Sequence, residues 1–171
     1  LLYERGGWWV DMDVTCLKKL EWNKPYFFRN HLHLNVIGNI IKVPPKSDLM
    51  KFSYKETLMS CNQDTENWLL PNEILNKYIA QLDLLAFVEK GKVNIDDWSE
   101  VKNLLHSDVK INDNFYFFHW MNENWRHFNI NKKAFVKNST YGKLLSKHGF
   151  TFVELSAIQK KLMQFKWRFQ W

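Results

Sequence analysis

The chain is short of the residues that would staple or interrupt it. It has two cysteines, Cys16 and Cys61, far apart in the sequence. No Cys-x-x-Cys spacing exists, which excludes a zinc-finger or zinc-ribbon framework, and two cysteines cannot make a disulfide scaffold. Unpaired, mostly buried thiols in a reducing compartment are the simpler reading; a single disulfide stays open. Six glycines and four prolines in 171 residues are too few and too scattered to form a flexible linker. Apolar runs never reach eighteen residues, so no membrane-spanning helix is predicted. No secretory signal, internal repeat or low-complexity segment is found, and no recognised nucleic-acid-binding motif.

What remains is an ordinary globular composition, 46% hydrophobic and 25% charged, long enough to bury one core. It is read as a single domain. Aromatic residues are abundant, with nine Trp. They fill cores, and they also line sugar and base sites. The formal charge of +6 suits phosphate-bearing ligands or anionic surfaces, although a Lys- and Asn-rich solvated face explains it equally simply. The first residues, "LLYER", read as the last turns of a helix whose start is missing. The sequence is therefore expected to be an N-terminally truncated fragment.

The order of elements is α/β. Gly6 and Gly7 stop the opening helix. "WWVDMD" is too apolar for a one-sided strand and predicts a central one. "PYFFRN" and "NVIGNIIKV" are further strands, closed by Pro44 and Pro45. A helix follows with Ser47 or Asp48 as N-cap and apolar Leu49, Phe52 and Leu58. The next starts at Pro71 and carries Ile74, Leu75, Tyr78, Ile79 and Leu82 on one stripe. Asp96 or Asp97 caps a third, over "NIDDWSEVKNLL". "NFYFFHW" is a strand ending in polar residues, "NSTYGKLLSKHG" a short helix ended by Gly149, and residues 154–171 a terminal amphipathic helix. Alternating strands and helices favour a three-layer arrangement.

Asp11 and Asp13 stand one residue apart after "WWV". On extended backbone both side chains point the same way, so the pair can share one hard cation, Mg²⁺ or Mn²⁺, with positions left for substrate phosphates. The carboxyl end of a strand is where α/β sheets bind ligands. Gly6 and Gly7 allow a sharp turn and a close approach to backbone.

"LLYERGGWWVDMDVTCLKKL" resembles the sugar-binding region of glycosyltransferases with an Asp-x-Asp motif and a GT-A fold, those related to yeast initiating α-1,6-mannosyltransferase and to bacterial capsular polysaccharide transferases. Leu2, Tyr3, Gly6, Gly7, Asp11, Asp13, Leu17, Lys18 and Leu20 carry the match. Trp8 and Trp9 depart mildly from it. "FYFFHWMNENW" resembles the end of the catalytic domain in the same family through His119, Trp120 and, one residue out of step, Trp125.

The resemblance implies a GT-A, Rossmann-like mixed sheet flanked by helices, with the N-terminal nucleotide-binding part missing. It implies sugar transfer from a UDP- or GDP-sugar to a glycan or lipid-linked acceptor, with retention of configuration. It implies Mn²⁺ or Mg²⁺ held by Asp11, Asp13 and His119. Tyr3, Gly6, Gly7, Asp11, Trp120 and Trp125 are the donor-binding candidates, and Asp64 is a further pocket candidate. No catalytic base or nucleophile is implied.

A cytoplasmic location, at the inner face of a membrane, accompanies this reading (or the Golgi lumen in a eukaryote). Basic and aromatic residues of the tail, Lys160, Lys161, Lys166, Arg168, Trp167 and Trp171, suit peripheral membrane contact, while packing on the core explains the helix more simply. "HLH" at His31–His33 is read as loop surface, and "NST" at Asn138 is a formal glycosylation sequon. The alternative function is a non-catalytic, transferase-like basic domain that binds glycans or nucleic acid.

Overall fold

The computed structural model describes residues 1–62, 66–130, 134–150, 153–154, 156–159 and 161–162. Asp64 and most of the tail helix read over 154–171 lie outside the described residues. The chain is a mixed α/β protein, and it divides into two compact units. One comprises Leu1–Ile95 with Asn114–His119, the other Asp96–Asp113 with Trp120–Trp171.

The first unit is built on a four-stranded mixed sheet in the order β1-β4-β3-β5, with β1 Gly7–Val10, β3 Phe27–His31, β4 Asn35–Val43 and β5 Val88–Glu89. Strand β4 runs antiparallel to both β1 and β3, and β5 runs parallel to β3. So β1, β3 and β5 share one direction, and their carboxyl ends lie along one edge of the sheet.

Adjacent residues of β3 show the period of two. Phe28 faces helices α2 (Asp48–Ser60) and α3 (Leu70–Gln81), in a core with Val36, Ile41, Val43, Leu49, Leu75 and Ile79. Phe27 faces the other way, with Ile40, Val93 and Phe117, where Trp8 packs at 5.2 Å from its ring and Trp22 at 5.1 Å. The layer on this second face is a two-stranded ribbon, β2 (Val14–Cys16) with β6 (Phe117–His119), and an aromatic loop. Within this unit the sheet has helices on one face and that ribbon on the other.

The helix boundaries follow local chemistry. The Ser47 hydroxyl accepts from the Met50 N–H and starts α2, and Pro71 sits in the first turn of α3, where its missing N–H costs no hydrogen bond.

Strand β1 corrects one expectation. Among the described residues it pairs only with β4 and forms the sheet's edge, not its centre. Its exposure alternates, and Trp9 is 46% exposed. The apolar run "WWV" reads as doubly buried because tryptophan counts as apolar. Here the Trp9 ring instead stays in contact with water and gives its N–H to Asp11.

The second unit holds α4 (Trp98–His106), α5 (Asn122–His127) and α6 (Thr140–Lys147), with a short parallel pair, β7 Ala134–Phe135 and β8 Val153–Glu154. Helix α4 buries Val101, Leu104 and Leu105. Ser139 caps α6 and is fully buried. Both cysteines are free, and Cys16 is exposed rather than buried. No helix among the described residues is long and apolar enough to cross a membrane.

Candidate functional site

Several polar residues of the first unit lie beyond the carboxyl end of β1. The chain leaves β1 at Val10 and turns: the Asp11 N–H donates to the Asn39 carbonyl, and the Val14 N–H returns to the Asp11 carbonyl at 3.2 Å. Asp11-Met12-Asp13 is therefore a turn between β1 and β2, not the extended backbone read from the sequence, and the two carboxylates are not held on one face. Asp11 accepts the Trp9 indole N–H at 2.9 Å. Met12 is fully exposed at the tip.

Asp13 turns toward the ribbon. Its Oδ2 lies 3.3 Å from His119 Nε2, with the two side chains 24% and 15% exposed. The β2–β6 register makes this meeting possible, because it sets Val14 opposite His119.

Behind the imidazole stands Arg29, only 2% exposed. Its Nη1 is 3.3 Å from His119 Nδ1, and its Nη2 donates to the Asn94 carbonyl at 3.0 Å. Asn94 is equally buried. Its amide clamps the backbone of His119: Oδ1 accepts the His119 N–H at 2.6 Å and Nδ2 donates to the His119 carbonyl at 3.1 Å. A buried guanidinium is costly unless its charge and donors are met, so this cluster is a specified piece of the structure.

Asn39 completes it. Gly38 lies on the helix face, with the position of its absent Cβ 3.6 Å from Asn72 Oδ1. Alternation along β4 then puts Asn39 on the ribbon face. Ile40 is on that face too, and the alternation breaks where the register shifts: Phe28 pairs with Ile41 and Arg29 with Ile37, so Gly38, Asn39 and Ile40 have no register partner on β3. Asn39 is 7% exposed, and neither atom of its amide has a protein partner.

The glycines play different parts. Gly6 has φ 61° and ψ −157°, a conformation essentially reserved to glycine. A Cβ there would stand 2.4 Å from the Pro45 nitrogen, so its space is taken by the Pro44–Pro45 backbone and is closed to a ligand. Gly7, at φ 93°, has nothing within 4 Å of a Cβ position and is the open one. Tyr3 lies under Lys46, whose Nζ is 4.9 Å from its ring centre.

Trp120 and Trp125 belong to the second unit and are core residues, 7% and 4% exposed. Both rings pack on Tyr141, and the Trp125 indole donates to the Trp120 carbonyl. Such burial leaves them little surface to offer a ligand, which corrects their reading as walls of a sugar site. The same unit contains a cavity of about 650 Å³ whose lining includes Trp98, Ser99, Lys102, Asn124 and Phe128. Trp98 and Phe128 stack there, 17° from parallel.

A shared cation needs converging donors. Asp13 and His119 meet, but no group of three His, Cys, Asp or Glu side chains able to hold a metal ion forms among the described residues. Asp11 is the absent third. His31 is no ligand in this arrangement either: its Nδ1 accepts the His33 and Leu34 N–H groups and closes the turn after β3.

Arg29, Asn39 and Asn94 were not singled out by the sequence. A charged residue inside "YFFRN" was the signal available for Arg29. The two asparagines carried none. Comparison of the chain with protein-family models, with curated proteins and with solved structures finds no match in any of the three.

Proposed function

We propose that the chain is a nucleotide-sugar-dependent glycosyltransferase of GT-A type, with its donor site at the carboxyl edge of the first unit's sheet. One observation carries the reading. The two segments that resemble this family, 1–20 and 115–125, lie about a hundred residues apart, and their polar residues Asp13 and His119 come within 3.3 Å of each other. Asp13 is the oxygen donor this reading offers to a divalent cation accompanying the diphosphate, with Asp11 at the start of the same turn. Gly7 leaves open backbone beside them. Arg29 supplies a fixed positive charge within the cluster. The Asn39 amide is an unused pair of polar groups, of the kind that orients a sugar or ribose hydroxyl.

The reaction class is hexosyl transfer with retention. The chain's own residues bind and orient the donor, and none is assigned as nucleophile. The test is a titration of UDP and GDP with and without Mn²⁺, repeated with Asp13→Asn. The reading expects cation-dependent binding that the substitution lowers at least tenfold, a difference of about 1.4 kcal/mol. Binding unaffected by both the cation and Asp13→Asn overturns it.

A further inference from the structure

We infer that His119 is not a cation ligand in this chain, and that Arg29 is the positioning residue that prevents it from being one. A guanidinium has donors only and stays charged. Arg29 Nη1 stands 3.3 Å from His119 Nδ1, so that nitrogen must present its lone pair. The proton of the neutral ring is then on Nε2, the nitrogen that faces Asp13 Oδ2 at 3.3 Å. A nitrogen that carries a proton cannot ligate a metal.

Metal-binding histidines show the opposite arrangement: the ring nitrogen away from the metal donates to a carboxylate, a carbonyl or water. Here that place is held by a buried cation. A half-turn of the ring would set Cδ2 where Nδ1 meets Arg29 and Cε1 where Nε2 meets Asp13, so both contacts would be lost. Asn94 holds the His119 backbone at both N–H and carbonyl, and the second arm of Arg29 is tied to the Asn94 carbonyl.

His119 therefore acts as a hydrogen-bond donor that orients the Asp13 carboxylate. The consequence is a choice of ion. A site with oxygen donors alone accepts Mg²⁺ and Mn²⁺ on similar terms, whereas an imidazole ligand biases it toward Mn²⁺ and later transition metals.

The inference rests on the transferase reading only for the presence of a cation, and its test separates the two. In the full chain without metal, ¹⁵N NMR of the imidazole nitrogens reads the tautomer directly. We expect Nε2–H in the wild type and a mixed population in Arg29→Met. Titration with Mg²⁺ and with Mn²⁺, for wild type and His119→Gln, reads the role. A residue that orients a ligand lowers the affinity for both ions by the same factor, ~10-fold, and leaves their ratio unchanged.

An Nδ1–H tautomer in the wild type overturns the inference, and so does a Mn²⁺ preference that collapses in His119→Gln. If the wild type binds neither ion, the transferase reading loses its cation, while the ring spectrum still decides the tautomer. The wild-type spectrum also stands if Arg29→Met fails to fold.

Discussion

Gly6 and Gly7 are neighbours with positive φ, 61° and 93°, yet a methyl group added to each meets a different fate. At Gly7 it enters open space and carries only backbone strain, about 1–3 kcal/mol. At Gly6 it carries that strain and also runs into the Pro44–Pro45 backbone, which cannot move aside as a flexible side chain would. Gly6→Ala is therefore expected to destabilise the protein well beyond Gly7→Ala. Urea unfolding of both variants reads the difference as a larger drop in midpoint for Gly6→Ala, with unchanged slope. For ligand binding the order reverses: Gly7→Ala is the variant that weakens nucleotide binding at equal folded fraction, and a loss confined to Gly6→Ala contradicts the site as drawn.

The two aspartates separate in the same way. Asp13→Asn removes the carboxylate that faces His119. Asp11→Asn changes a group engaged with its neighbour Trp9 at a half-exposed turn, so it is expected to cost less in UDP or GDP binding. Isothermal titration of the two variants side by side checks the order. The aspartates and His119 were legible as residues because motif spacing survives in a linear sequence. Arg29 and Asn94 were not, because their importance comes from register and burial, which a linear sequence does not carry.

At the scale of elements, legibility tracked length and capping. Of the pairs Ser47/Asp48 and Asp96/Asp97, Ser47 caps α2 and Asp97 caps α4, since an N-cap is a local hydrogen bond between neighbours in sequence; Pro71 falls in the first turn of α3, which has no side-chain cap. Of the strands of two or three residues, β6 was legible in the apolar run "NFYFFHW", while β2, β5, β7 and β8 show no period and left no trace.

Asp97 gives the sharpest test of this local chemistry. Its Oδ1 accepts the N–H and the hydroxyl of Ser99, at 2.8 and 2.7 Å. The hydroxyl bond first, then the backbone bond, hold its carboxyl below the ordinary carboxylate range. A lowered folded-state pKa means stability that is fully present above the unfolded-state value. It begins to fade as pH drops through about 4 and is lost as pH falls through the lowered folded value. Asp97→Ala is therefore expected to cost about 1 kcal/mol at neutral pH, and progressively less in acid. Thermal melts of wild type and variant across pH 7 to 2.5 should converge at the acid end. Parallel curves would show that the cap does not act through its charge.

Over the whole molecule the basic excess is unevenly placed. Residues of the first unit include twelve Lys and Arg against eleven Asp and Glu, those of the second twelve against seven. The Asp13 cluster thus lies in a unit close to neutral, and the basic excess belongs to the other. Four of the second unit's twelve cations, Lys160, Lys161, Lys166 and Arg168, fall in the last dozen residues, so a chain ending at residue 155 keeps little of that excess. Each Lys or Arg near an anionic bilayer contributes about 1 kcal/mol, and the attraction fades within a Debye length.

Removal of residues 156–171 is therefore expected to lower binding to phosphatidylserine-containing vesicles steeply at low salt. The loss should diminish as added salt screens the wild type. UDP and GDP binding at the Asp13 cluster should be left in place, because those charges lie in the other unit. Sedimentation of full chain and shortened chain with vesicles, at two salt concentrations, measures the first effect and nucleotide titration the second. Vesicle binding that survives the deletion would remove the tail as the source of membrane affinity and return its aromatic residues to a packing role. Nucleotide binding that fails with it would contradict a donor site confined to the sheet edge where Asp13 and His119 meet.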